Sequence, residues 1–183
     1  MRQGRALGMV LLLLTVLLLP MVSGADSTVS TNTTWSGNMV LSGNVTVASG
    51  ATLTVSPDTT VDAKEYAIIV EGTLVAEQTE FFSSIMPETQ GSHGQGLWPG
   101  IVVETGGQVN LTNVIVANAS AGALVRGNFN GTDVVFNDAY RGVSVVGGEA
   151  VITGFEANRI DYEALYLSLI HISEPTRRTG IAY

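Results

Sequence analysis

The sequence predicts an all-β solenoid, a parallel β-helix of about five coils of 20–22 residues, present in part. Three observations carry this. A glycine-led unit recurs, as Gly-Ile-Val-Val-Glu from Gly100, Gly-Ala-Leu-Val-Arg from Gly122 and Gly-Val-Ser-Val-Val from Gly142, with starts 22 and 20 residues apart. Apolar residues alternate in short runs between Gly, Pro and Asp turns, which is strand and turn chemistry. No stretch beyond residue 24 sustains a 3.6-residue period, so helix is not expected.

Each part of the chain then takes a place. Residues 1–24 carry Arg2 and Arg5, an apolar run from Ala6 to Leu19, Pro20 and a small-residue site, the order of a secretory signal peptide. The run is 14 residues long, short of the roughly 20 that span a bilayer. The expected location is therefore secreted or cell surface, with no membrane span beyond the signal peptide. Residues 25–38, rich in Ser, Thr and Asn, read as a loose leader. The β-helix is expected over 39–166. Its first runs are Val45 with Val47 and Leu53 with Val55, and Gly72 follows Gly50 by 22 residues. Residues 86–99 read as a loop inserted between coils. Trp98-Pro99-Gly100-Ile101 restarts the wall.

Alternation assigns the faces of each strand. Ile68 and Val70, Ile101 and Val103, Ala123 and Val125, and Val143 and Val145 are expected to point inward and stack. Val102, Leu124 and Ser144 are expected to point outward. The units close on Asn118, Asn137 and Asn158, which would stack as a ladder at the corners, because Asn tolerates the left-handed backbone of tight turns.

Residues 167–183 fit no coil. Leu167-Ser168-Leu169-Ile170-His171-Ile172-Ser173-Glu174-Pro175-Thr176-Arg177 resembles the conceptual translation of a transposase adapter used in sequencing libraries. The gene is therefore expected to be truncated at about Tyr166, leaving an uncapped strand edge. Between Ala25 and Tyr166 four bases face fifteen acids, a net charge of −11. That surface argues against nucleic acid, whose recognition needs basic patches. The chain has no cysteine, so an exported protein must here be stabilised without disulfides.

Trp35-Ser36-Gly37-Asn38, the run from Gly43 to Val55, and the unit from Trp98 to Asn118 together resemble secreted right-handed parallel β-helix proteins of the pectate-lyase-like class. The resemblance implies a right-handed parallel β-helix over about Trp35 to Tyr166. It implies little about activity, because the class includes lyases, hydrolases, adhesins and surface proteins.

Candidate chemistry is sparse. Glu71, Glu104 and Arg126 fall at one outward position of successive coils, where two acids could hold Ca²⁺. Pectate lyases, which this fold resembles, use Ca²⁺ and an arginine base. The competing assignment is a solvated ladder in which Glu104 pairs with Arg126. The aspartate pair, His-Gly and Arg-x-Lys elements of inverting glycosidases are missing between Ala25 and Tyr166. His93 is a lone loop histidine, so no active site is identifiable.

The turns after Asn137 and Asn158 are richer. Asp138-Ala139-Tyr140-Arg141 and Arg159-Ile160-Asp161-Tyr162-Glu163 would stack one coil apart. Tyr140, Arg141, Arg159, Asp161 and Tyr162 then offer aromatic faces and planar hydrogen-bonding groups, which suit a polysaccharide or cell-surface glycan. Asn32, Asn44, Asn110 and Asn130 head Asn-x-Ser/Thr sequons and are glycosylation candidates. A fifth sequon, at Asn118, conflicts with a packed ladder. The expected function is an exported β-helix scaffold with carbohydrate contact. The alternative is the N-terminal part of a polysaccharide lyase or glycoside hydrolase whose catalytic coils lie beyond Tyr166.

Overall fold

The computed structural model describes residues 24–85 and 97–168. The described residues form strands and no helix. The first coil is β1 (Ser27–Val29), β2 (Thr33–Trp35) and β3 (Asn38–Val40), and the second is β4 (Val45–Val47), β5 (Thr52–Val55) and β6 (Thr60–Asp62). The third is β7 (Ile68–Val70), β8 (Thr73–Glu77) and β9 (Glu80–Phe82). Then follow β10 (Ile101–Val103), β11 (Gln108–Ala117), β12 (Ala121–Val125), β13 (Asn128–Val145) and β14 (Glu149–Leu167). Later strands are longer because they run through corners that earlier coils break.

Every pairing is parallel and joins one coil to the next, so the chain is a β-solenoid of about six turns with three walls. The first wall stacks β1, β4, β7, β10, β12 and the ends of β13 and β14. The second stacks β2, β5, β8 and the starts of β11, β13 and β14. The third stacks β3, β6, β9 and later parts of β11, β13 and β14.

Two expectations change here. Residues 25–38 are not a loose leader. Ser27 pairs with Val45 and Thr33 with Leu53, so this segment builds the first coil, one more than expected. Thr favours strands, and Val29 and Trp35 supply the buried face. The loop expected over 86–99 lies outside the described residues at 86–96, but its end does not. Leu97 and Trp98 are buried in the core, where Trp98 Nε1 donates to the Ala117 carbonyl at 2.9 Å. The expected signal peptide, 1–24, and the expected tail, 167–183, lie outside the described residues except at Gly24, Leu167 and Ser168, and Leu167 departs from the expectation by pairing with Val145 at the end of β14.

The inward residues form continuous columns. Val45, Ile68, Ile101, Ala123 and Val143 stack on the first wall, and Leu53, Leu74, Val109 and Phe129 on the second. Val61, Phe81, Val116 and Phe136 stack on the third. Each fully buried Val, Leu or Phe contributes roughly 1.5–3 kcal/mol, and each rests on a like residue about 4.8 Å away, the strand spacing. Val145 is only half-buried, because it lies near the open end of the stack.

The corner before the second wall is a glycine column. Gly72, Gly107, Gly127 and Gly148 are level, and a Cβ at each would strike a carbonyl oxygen (of Ala48, Val70, Glu104 and Gly127 respectively). Only a hydrogen fits against a backbone that close. These glycines are therefore steric requirements of the stack, as are Gly100 and Gly142 of the sequence repeat, where a Cβ would strike the carbonyl oxygens of Ala121 and Ala164.

Candidate functional site

The corner between the third and first walls gathers the polar chemistry. Its pivot is a left-handed residue in each later coil: Asn118, Asp138 and Arg159, with φ of 56°, 51° and 51°. This corrects the expected asparagine ladder by one position. Asn137 and Asn158 are level with each other and with Ala117, and Asn158 Nδ2 donates to Asn137 Oδ1 at 3.0 Å. Asn118 stands one residue further on, and its Nδ2 donates to the Ser83 carbonyl at 2.9 Å. Asp138 and Arg159, stacked above it, form a two-bonded ion pair. That carboxylate raises the Arg159 pKa above its ordinary value, so the guanidinium stays charged.

Beyond this pivot the walls turn and deliver the tyrosines. Ala139 pairs with Ile160 and Arg141 with Glu163, with a register shift between them that sets Tyr140 against Tyr162. The two rings stack with centroids 5.4 Å apart and planes 14° from parallel. The Arg141 guanidinium carbon lies 5.4 Å from the Tyr140 centroid, 5.0 Å from Tyr162 and 5.0 Å from Tyr166. Three electron-rich faces thus surround one cation.

Tyr166 is the member that sequence reasoning missed. It is level with Ser144 on the outward face of the first wall, and that register was its available signal. Its neighbour also corrects an expectation. Ser144 does take the outward register position, yet it is buried and its Oγ has no hydrogen-bond partner. Arg141 Nε and Glu163 Oε2 are likewise buried without a hydrogen bond, lying 3.7 Å apart. The edge therefore combines an exposed tyrosine, Tyr162, with the Arg141 guanidinium and the nearby Asp161 carboxylate. Such a set can stack on a ring and bond its hydroxyls.

Of the five expected ligand-contact residues, Tyr140, Arg141 and Tyr162 come together in this cluster. Arg159 is committed to Asp138, and Asp161 sits exposed on the same turn.

The acidic column is less suited to a cation. Glu104 and Arg126 pair at 2.9 Å, and Glu71 stands exposed one coil earlier. Ca²⁺ wants six or more oxygens. Among the described residues no group of three or more His, Cys, Asp or Glu side chains could hold a metal.

The sequon asparagines occupy outer positions. Asn32 Oδ1 accepts from Thr52 N at 3.0 Å and Asn44 Oδ1 from Ala67 N at 2.9 Å, each tying its coil to the next. Asn130 Nδ2 donates to Asn110 Oδ1 at 3.0 Å, in a small exposed ladder on the second wall. Comparison with family models, curated proteins and solved structures gives no match to this chain.

Proposed function

We propose that this chain is an exported β-helix scaffold that contacts carbohydrate at the tyrosine edge of its last two coils. The observation that carries the reading is the stack of Tyr140 on half-exposed Tyr162, with Arg141 against both rings. A pyranose presents an apolar C–H face and a rim of hydroxyls. An exposed tyrosine suits the first, and arginine and carboxylate groups suit the second. Outward Ile69, Val102 and Leu124 lead along the first wall toward Ser144 and Tyr166 and would extend the contact along a polymer. Export is supported by the charged-then-apolar order of residues 1–24. In such a chain Asn32, Asn44, Asn110 and Asn130 would be open to glycosylation.

The test is affinity electrophoresis through gels containing a panel of soluble polysaccharides. Tyr162→Ala and Tyr140→Ala should each weaken retardation about tenfold, which corresponds to about 1.4 kcal/mol. Circular dichroism of the same variants should match the parent. Retardation that is absent throughout the panel, or unchanged in both variants, removes the carbohydrate reading.

A further inference from the structure

The stacked tyrosines carry a second chemistry that does not depend on sugar binding. Tyr140 and Tyr162 sit on adjacent coils, their places fixed by backbone pairing on both sides, Ala139 with Ile160 and Arg141 with Glu163. Their rings touch at 5.4 Å between centroids, and Arg141 lies close to both, at 5.4 and 5.0 Å. Among the described residues this is the one ring contact between two tyrosines. Tyr162 is 59% exposed, so a reagent in solution can reach it. The chain has no cysteine, so no disulfide can tie one coil to the next.

We propose that Tyr140 and Tyr162 form an oxidative cross-linking site, joined as dityrosine by a one-electron oxidant such as a haem peroxidase acting on hydrogen peroxide. Each phenol gives up one electron and its proton, leaving two phenoxyl radicals with spin on the oxygen and the ortho carbons. Two ortho carbons join in one new C–C bond. Each then releases its hydrogen as a proton while its oxygen regains one, and both rings are aromatic again. In total two ortho C–H bonds break and one C–C bond forms. Two electrons and two protons pass to hydrogen peroxide, which becomes two water molecules. The fold contributes proximity. Two radicals held in contact couple as an intramolecular pair, which is worth a large effective concentration over free encounter. The rings start nearly parallel, and the exposure of Tyr162 lets its edge swing toward Tyr140. The bond would staple β14 to β13 at the corner.

The experiment treats the full chain with a haem peroxidase and limiting hydrogen peroxide at low protein concentration. The expected product is a monomer lighter by two hydrogen atoms, with dityrosine fluorescence and a peptide map joining Tyr140 to Tyr162. Tyr140→Phe and Tyr162→Phe should each abolish it, because phenylalanine forms no phenoxyl radical but keeps the ring stack. Tyr66→Phe and Tyr166→Phe should retain it. The cross-linked monomer should also show slower amide exchange in β14 than the untreated protein. The proposal is overturned by cross-links found only between chains, by an intramolecular product that survives in Tyr140→Phe or Tyr162→Phe, or by no product at all.

Discussion

The first and last coils have the same backbone but opposite uses of it. The first coil buries Val29, Trp35 and Leu41, each less than 8% exposed, half-buries Met39 against the core, and puts Ser27 and Thr33 at two further inward register positions. The last coil puts Phe155, Leu165 and Leu167 at inward positions, and they are 37%, 50% and 56% exposed. β14 pairs with β13 on one side and with no described strand on the other. A coil is stable only when neighbours cover both faces, because stacking creates the core. The first coil therefore has the composition of an end, with polar residues where the core stops. The last has the composition of an interior coil.

The sharpest way to break that comparison is to truncate one inward side chain at each end. Trp35→Ala should cost about 3–5 kcal/mol, the range for removing a large buried aromatic. Leu165→Ala should cost well under half of that, since half of the side chain never leaves water. Urea denaturation of both variants measures the difference. Native-state amide exchange gives the same contrast without mutation, with β14 amides exchanging ahead of those in β5 and β8. Equal costs at the two ends would mean that another surface covers β14 in solution.

The second effect is a pH dependence placed in the early coils by Asp62. Asp62 lies on the third wall, where burial pushes its carboxyl pKa upward. Hydrogen bonds from Lys64 and Ser84, with the Lys64 ammonium 2.8 Å away, more than reverse this and hold it below the ordinary value. A depressed folded-state pKa gives stability that is complete above the unfolded value, about 3.9 for aspartate. That stability is lost as pH falls through the folded value. Melting temperature followed downward from about pH 5 should therefore decline more steeply in the parent than in Asp62→Asn. Parallel acid limbs for parent and variant would show that Asp62 contributes nothing.

The fold was legible because two sequence signals have single physical causes. The glycines mark backbone contact between coils, and the period-two runs mark columns such as Ile68, Ile101, Ala123 and Val143. The first coil was not legible, because Ser27-Thr28-Val29 and Thr33-Thr34-Trp35 offer one apolar residue each, too few to show a period. The corner was legible in content but not in register. Alignment on asparagine put Asn118 level with Asn137, whereas the left-handed turn puts it level with Asp138. The stack of Tyr140 on Tyr162 follows from the repeat, but the burial of Ser144 does not. A serine at an outward position reads as solvated, and its cover, Tyr166, comes from the next coil.

The smallest expected effect separates position in the stack from ion pairing. Glu104 and Arg126 pair at 2.9 Å between the fourth and fifth coils, in the middle of the solenoid. Their side chains are 36% and 41% exposed, so water and salt screen the attraction. Exposed pairs of this kind contribute about 0–1 kcal/mol. Arg126→Ala should therefore lower stability by less than 1 kcal/mol, and a double-mutant cycle with Glu104→Ala should give a coupling that shrinks in high salt. The neighbouring Val125, fully buried one residue earlier, provides the scale. Val125→Ala should cost more than Arg126→Ala, because a central coil is held by what its strands bury. A coupling as large as the Val125 cost would mean that Glu104 and Arg126 are desolvated more than their exposure implies, and that this wall meets another surface.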